Sequence, residues 1–151
     1  MRSVILVIAL LAATSAGAGE ITVSESWARA TAPGQDSGAV YLHIISQQDA
    51  RIVEVTSPVA DSAAMHSMTH DKDVMRMREL ETLLLPAGKE VALASGGNHI
   101  MLSRLKKPLV AGDTVPLTLT IQFTDSSKKK VQVSATVVPL AASSHPHQHQ
   151  H

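Results

Sequence analysis

The chain has 151 residues, 13 Lys plus Arg against 13 Asp plus Glu, 44% hydrophobic and only 2% aromatic residues, and no cysteine. That length suits one domain with terminal extensions, and the apolar fraction suffices for a packed core. Zero net charge and three aromatic residues leave no basic field and no stacking platform for nucleic acid, and the absence of cysteine removes disulfides, zinc fingers, iron–sulfur clusters and thiolate catalysis.

The N-terminal segment reads as a secretory signal over residues 1–18. Arg2 supplies the positive start, Val4 to Ala13 the apolar run, and Ala16-Gly17-Ala18 the small residues at the cleavage site. The run is far shorter than the roughly 20 residues of a spanning helix, so stable membrane insertion after cleavage is not expected. The expected mature protein is exported to the periplasm, with its folded domain over residues 19–140.

That domain reads as short strands with almost no helical periodicity. Strands are predicted at 21–29, 40–46, 51–56, 63–67, 74–78, 90–93 and 98–105, broken by Pro33-Gly34, Gln47-Gln48-Asp49, Pro86-Ala87-Gly88 and Ser95-Gly96-Gly97. Asp71 and Asp73 flank Lys72 in what reads as a hairpin turn. Two further strands alternate strictly. Val115, Leu117, Leu119, Ile121 and Phe123 oppose Thr118, Thr120 and Gln122, and Val131, Val133, Ala135 and Val137 oppose Gln132, Ser134 and Thr136. Thr124-Asp125-Ser126-Ser127 and three lysines join them as a hairpin. About nine short strands with regular punctuation predict a single all-β domain, an antiparallel sandwich or barrel. Trp27 is assigned to its core, and His43 to a structural role.

After Leu140 the chain changes character. Ala141 to Ser144 is a small-residue linker, and His145, His147, His149 and His151 then fall at every second position, interrupted by Pro146 and glutamines. Residues 141–151 are expected to be a flexible tail whose closely spaced imidazoles chelate divalent copper, Cu(II), nickel or zinc.

No nucleophile elbow, P-loop or dinucleotide-binding fingerprint occurs. Methionine and histidine carry the signal instead. Apart from Met1, every methionine lies between residues 65 and 101, among His66, His70 and His99. Strand parity gives Ile100 and Leu102 to the core and sends His99 and Met101 together to the opposite face, about 7 Å apart. His66 and Met68 share a face, with Met65 pointing the other way. Met75 and Met77 share one against Arg76 and Arg78. Thioethers with imidazoles make a soft, neutral site that suits monovalent copper.

Ten residues separate His66 from Met77, twenty-one separate Met77 from His99, and one separates His99 from Met101. This H-x10-M-x21-H-x-M spacing resembles the copper-ligand signature of the periplasmic copper chaperones of the PCuAC family. Trp27-Ala28-Arg29-Ala30-Thr31-Ala32-Pro33-Gly34 and Gly38-Ala39-Val40-Tyr41-Leu42 resemble that family's opening strands, and Gly112-Asp113-Thr114-Val115-Pro116-Leu117 its late turn. In one departure, Met65 precedes His66, whereas family members often carry Met directly after the first His. The resemblance implies a cupredoxin-like β-sandwich holding Cu(I) through His66, Met77, His99 and Met101, with Met68 and Met75 as auxiliary candidates. It also implies a non-enzymatic metallochaperone that delivers copper to the CuA-bearing subunit of cytochrome c oxidase, alongside Sco-type proteins. Two alternatives stand beside it: a copper-dependent redox enzyme, and a metal-free β-sandwich interaction module.

Overall fold

The computed structural model describes residues 19–140; the expected signal over 1–18 and the tail over 141–151 lie outside the described residues. Ten strands follow in chain order: β1 (Ile21–Arg29), β2 (Ser37–Ser46), β3 (Ala50–Thr56), β4 (Ala60–Asp71), β5 (Val74–Leu80), β6 (Leu83–Leu85), β7 (Glu90–Leu93), β8 (His99–Leu105), β9 (Thr114–Phe123) and β10 (Lys128–Val138). The described residues form one all-β domain and contain no helix, hence none long and apolar enough to cross a membrane.

The strands are hydrogen-bonded in the order β5-β4-β8-β2-β1-β10-β9-β3-β6, with β7 paired to the far half of β2. All pairings are antiparallel except β1 with β10, which run parallel from Trp27↔Thr136 to Arg29↔Val138. The expected antiparallel sandwich or barrel thus contains one parallel seam. A parallel pair needs a long crossover, and here the whole intervening chain supplies it. One strand beyond the nine expected is β6, whose three residues, Leu83–Leu85, are too few to show alternation.

One set of side chains fills the interior, because every second residue of each strand points the same way. Val40, Leu42 and Ile44 of β2, Ile100 and Leu102 of β8, and Val115, Leu117, Leu119 and Ile121 of β9 are almost completely buried. Met65 joins them, packed on the face opposite His66.

The β1 strand breaks this alternation. Its register against β2 shifts between Ser24 and Trp27, and Glu25 takes a positive φ of 49°. Before the shift Val23 lies opposite the core residue Ile44; after it Ala28 lies opposite Val40 and is itself fully buried. The extra residue of a β-bulge reverses which face follows. Trp27 is therefore not a core residue, as uniform alternation predicts, but stands outside beside Tyr41. The bulge also brings Glu25 to His43, whose Nε2 lies 3.3 Å from Glu25 Oε2 while its Nδ1 lies 3.0 Å from Glu90 Oε1. His43 thus ties β1, β2 and β7 together, the structural role expected for it.

Two hairpins close as their sequences predict. Asp71 and Val74 pair across Lys72 and Asp73, both at positive φ, as a two-residue turn requires for the right-handed twist. In the β9–β10 turn the Ser127 hydroxyl and amide donate to Asp125 Oδ1 at 2.5 and 2.9 Å. Those bonds, the hydroxyl's first, hold the Asp125 carboxyl below its ordinary range. A depressed carboxyl contributes stability that is present above the unfolded aspartate value of about 3.9 and disappears as pH falls through the lower folded value. Asp125→Ala is expected to melt below wild type at pH 7, with the difference narrowing in acid below that value; thermal melts across pH check it.

Candidate metal centre

β4 sits between β5 and β8, and its register with both decides which side chains meet. Against β8 it pairs His66↔His99 and Ala64↔Met101; against β5 it pairs Met68↔Met77, His70↔Met75 and His66↔Glu79. Directly opposed residues share a face. His66, Met68, His70, Met75, Met77, His99 and Met101 therefore project together from the face away from the core.

His66 is central to this arrangement. His99 lies straight across from it, with ring centroids 5.8 Å apart. Met101 and Met77 are its diagonal neighbours on the two flanking strands, at the roughly 7–8 Å typical of such positions. The two sulfurs thus belong to opposite corners, and twist and curl of the exposed β4–β5 hairpin govern how closely they approach. Burial falls across the set. His99 is 4% exposed, His66 and Met101 are half-buried, and Met77 is 49% exposed. Met68, opposite Met77, is half-buried; Met75, one step nearer the hairpin tip, is 50% exposed. The histidines at 145, 147, 149 and 151 lie outside the described residues.

The ring nitrogens differ in their engagement. His99 Nδ1 lies 3.1 Å from the Gly97 carbonyl, a pure acceptor, so Nδ1 carries the proton and, in the neutral ring, Nε2 keeps a free lone pair. His66 Nδ1 is buried without any hydrogen-bond partner. An orphaned imidazole nitrogen beside a second imidazole with a free lone pair is a donor pair lacking an electrophile. Among the described residues no three His, Cys, Asp or Glu side chains gather to hold a metal. The further donors that could complete a site around these imidazoles are thioethers, which fits a soft cation rather than zinc or calcium.

Sequence parity missed the aromatic flank. Trp27 and Tyr41 stack with centroids 4.5 Å apart, and Tyr41 lies 6.3 Å from His99, so rings line the face from β1 to β4. The Arg29 guanidinium covers the far side of Trp27 at 5.9 Å. The buried set Val40, Leu42 and Ile44 leaves Tyr41 on the outer face, and the bulge brings Trp27 beside it.

The fold is that of a PCuAC domain, a cupredoxin-like all-β architecture. The apo PCuAC domain of PmoF1 matches it with a TM-score of 0.63 at 24% identity, over 79% of this chain and 93% of that domain. DR1885 of Deinococcus radiodurans, solved with CuI, matches with a TM-score of 0.55 at 32% identity, over 75% of this chain and 74% of that one. Residues 21–137 match the LpqE-like family (Putative lipoprotein LpqE-like), and the chain belongs to that family. A relative in Leifsonia xyli subsp. xyli (strain CTCB07), named Putative lipoprotein Lxx21020, is 33% identical over 114 residues, spanning 75% of this chain and 68% of its own length.

The two imidazoles make opposite predictions for the metal-free protein. His66→Leu removes a buried polar atom left unpaired, an arrangement that costs about 1–3 kcal/mol, so its melting temperature should equal or exceed wild type. His99→Ala loses the bond to Gly97 and a buried ring, and should melt lower. Differential scanning calorimetry with a chelator present checks both.

Proposed function

We propose that this chain is a non-enzymatic copper carrier that holds Cu(I) through His66, His99, Met101 and Met77. The observation that carries the reading is the His66–His99 pair, 5.8 Å apart, with one nitrogen orphaned and thioethers as the surrounding donors. The similarity to DR1885, which was solved with CuI, supports copper as the cargo. Neutral ligands leave the site cationic when loaded, and thioethers do not titrate, so protons compete with copper at the imidazoles alone.

The gradient of exposure assigns separate roles. His99, fixed through Gly97, is the anchor; His66 and Met101 complete the inner grip. Met77, the most exposed of the four, is the ligand that an incoming donor displaces first. Transfer then proceeds by stepwise exchange, each new bond forming before the next is released. Met68, directly across from Met77, is placed to occupy the same coordination position when Met77 leaves.

The acceptor in this reading is the CuA-bearing subunit of cytochrome c oxidase, with Sco-type proteins alongside, as the family resemblance implies. Export fits the apolar leader and the lipoprotein naming of the family. The sequence has no cysteine, so a lipid linked through a thiol has no attachment residue within it. The histidines of the tail act in a separate step, collecting Cu(II) close to the domain and raising its local concentration by tethering.

An anaerobic Cu(I) titration against a chelator of known affinity tests the main site. Wild type should take one Cu(I) tightly. Met101→Ala should weaken it more than about 100-fold, beyond the 10–100-fold that loss of an outer partner costs. Met77→Ala should weaken it less and chiefly change the rate of handover to a competing chelator. Wild-type affinity in a variant carrying both Met77→Ala and Met101→Ala would sink the assignment. Deletion of residues 145–151 should abolish Cu(II) uptake, followed by its visible absorption, while leaving Cu(I) stoichiometry at one.

A further inference from the structure

The strand that carries Met77 is an open edge of the sheet. Among the described residues β5 pairs only with β4, and its seven residues are exposed along nearly their whole length. At the opposite end of the sheet β6 has three residues, a much shorter edge. An edge as long as β5 offers a row of unpaired backbone donors and acceptors.

The two faces of that edge differ. Met75 and Met77 face the candidate copper ligands; Arg76 and Arg78 face the other way, opposite Thr69 and Ser67. Along this edge the four polar residues and Met77 line a shallow groove of about 440 Å³. Neither arginine has a salt-bridge partner among the described residues, although other charged side chains, such as Arg104 with Asp61, are paired. Guanidinium groups paired with no carboxylate of their own chain are complementary to carboxylates brought by another. The same arginines disfavour a second copy of this chain: antiparallel pairing of β5 with itself about Met77 sets Arg76 against Arg78 twice, and like charges directly opposite repel.

We propose that β5 is the docking edge for the copper acceptor, and that it receives an extended strand with carboxylates at alternate positions. The carboxylates engage Arg76 and Arg78, backbone hydrogen bonds extend the sheet, and the intervening side chains of the added strand come to lie beside Met77 on the copper face. The partner's identity as acceptor rests on the copper-carrier reading; the docking does not, since it needs no metal.

The test uses the copper-free full chain labelled with 15N and the peptide acetyl-Glu-Val-Glu-Val-Glu-amide as probe. Amide signals of residues 74–80 should shift and exchange more slowly with solvent, and the effect should weaken as salt is raised. A peptide with lysine in place of each glutamate should leave them unchanged. Arg76→Glu with Arg78→Glu should weaken the acidic peptide at least tenfold, and Arg76→Gln by less, while both variants keep wild-type Cu(I) stoichiometry. No response at β5, an equal response to the lysine peptide, or the same shifts from inorganic phosphate alone would overturn the proposal; the last would make the groove a small-anion site. Docking that persists in a protein unable to bind Cu(I) would uphold the edge and refute the cargo instead.

Discussion

The register between β4 and β8 is the constraint on which the rest of the candidate site depends. Pairing His66 with His99 sets two imidazoles side by side, and it does so because Met65, Ile100 and Leu102 must all face inward. A slip of one residue would expose those three apolar side chains and bury the imidazoles, so the hydrophobic core enforces the alignment of the polar face. The candidate ligands need no separate energetic support for their position. The price is a buried nitrogen on His66 that nothing in the described protein satisfies.

Around that pair, order declines outward. His99 is enclosed between Tyr41, His66 and the Gly97 carbonyl; the methionines stand progressively freer toward the β5 edge. Such a gradient suits a carrier better than a permanent centre. A structural metal site is closed and rigid on all sides, whereas cargo must be gripped from one side and surrendered on the other. β5 and the tip of the β4–β5 hairpin are exposed on both faces, which lets Met75 and Met77 move without disturbing the core.

Much of this arrangement was legible in the sequence because period-two alternation is a local property. The alternation of Val115 to Phe123 sufficed to place five inward side chains, and Ile100 with Leu102 sufficed to turn His99 and Met101 outward. What alternation could not show was any feature created between strands. The parallel β1–β10 seam follows from long-range topology, and β6 is too short to have a period. The tight burial of His99 arises from neighbours on β2 and β4 rather than from its own strand. Trp27 failed for a different reason: Glu25 contributes a residue that no partner strand matches, and a periodic reading has no means of seeing it.

That unmatched residue has a consequence for side-chain volume. Without the bulge that leaves it unpaired, regular alternation would drive the indole of Trp27 into the space that now holds only the methyl group of Ala28, and the interior next to Val40 would have to swell by most of an aromatic ring. With it, the bulkiest side chain in the protein is left outside as a wall for the ring-lined face, and the interior stays small. A single bulge in the first strand thus sorts large from small, and it gives the chain's only tryptophan a place where it can sense, by its fluorescence, what happens at the imidazoles two and three strands away.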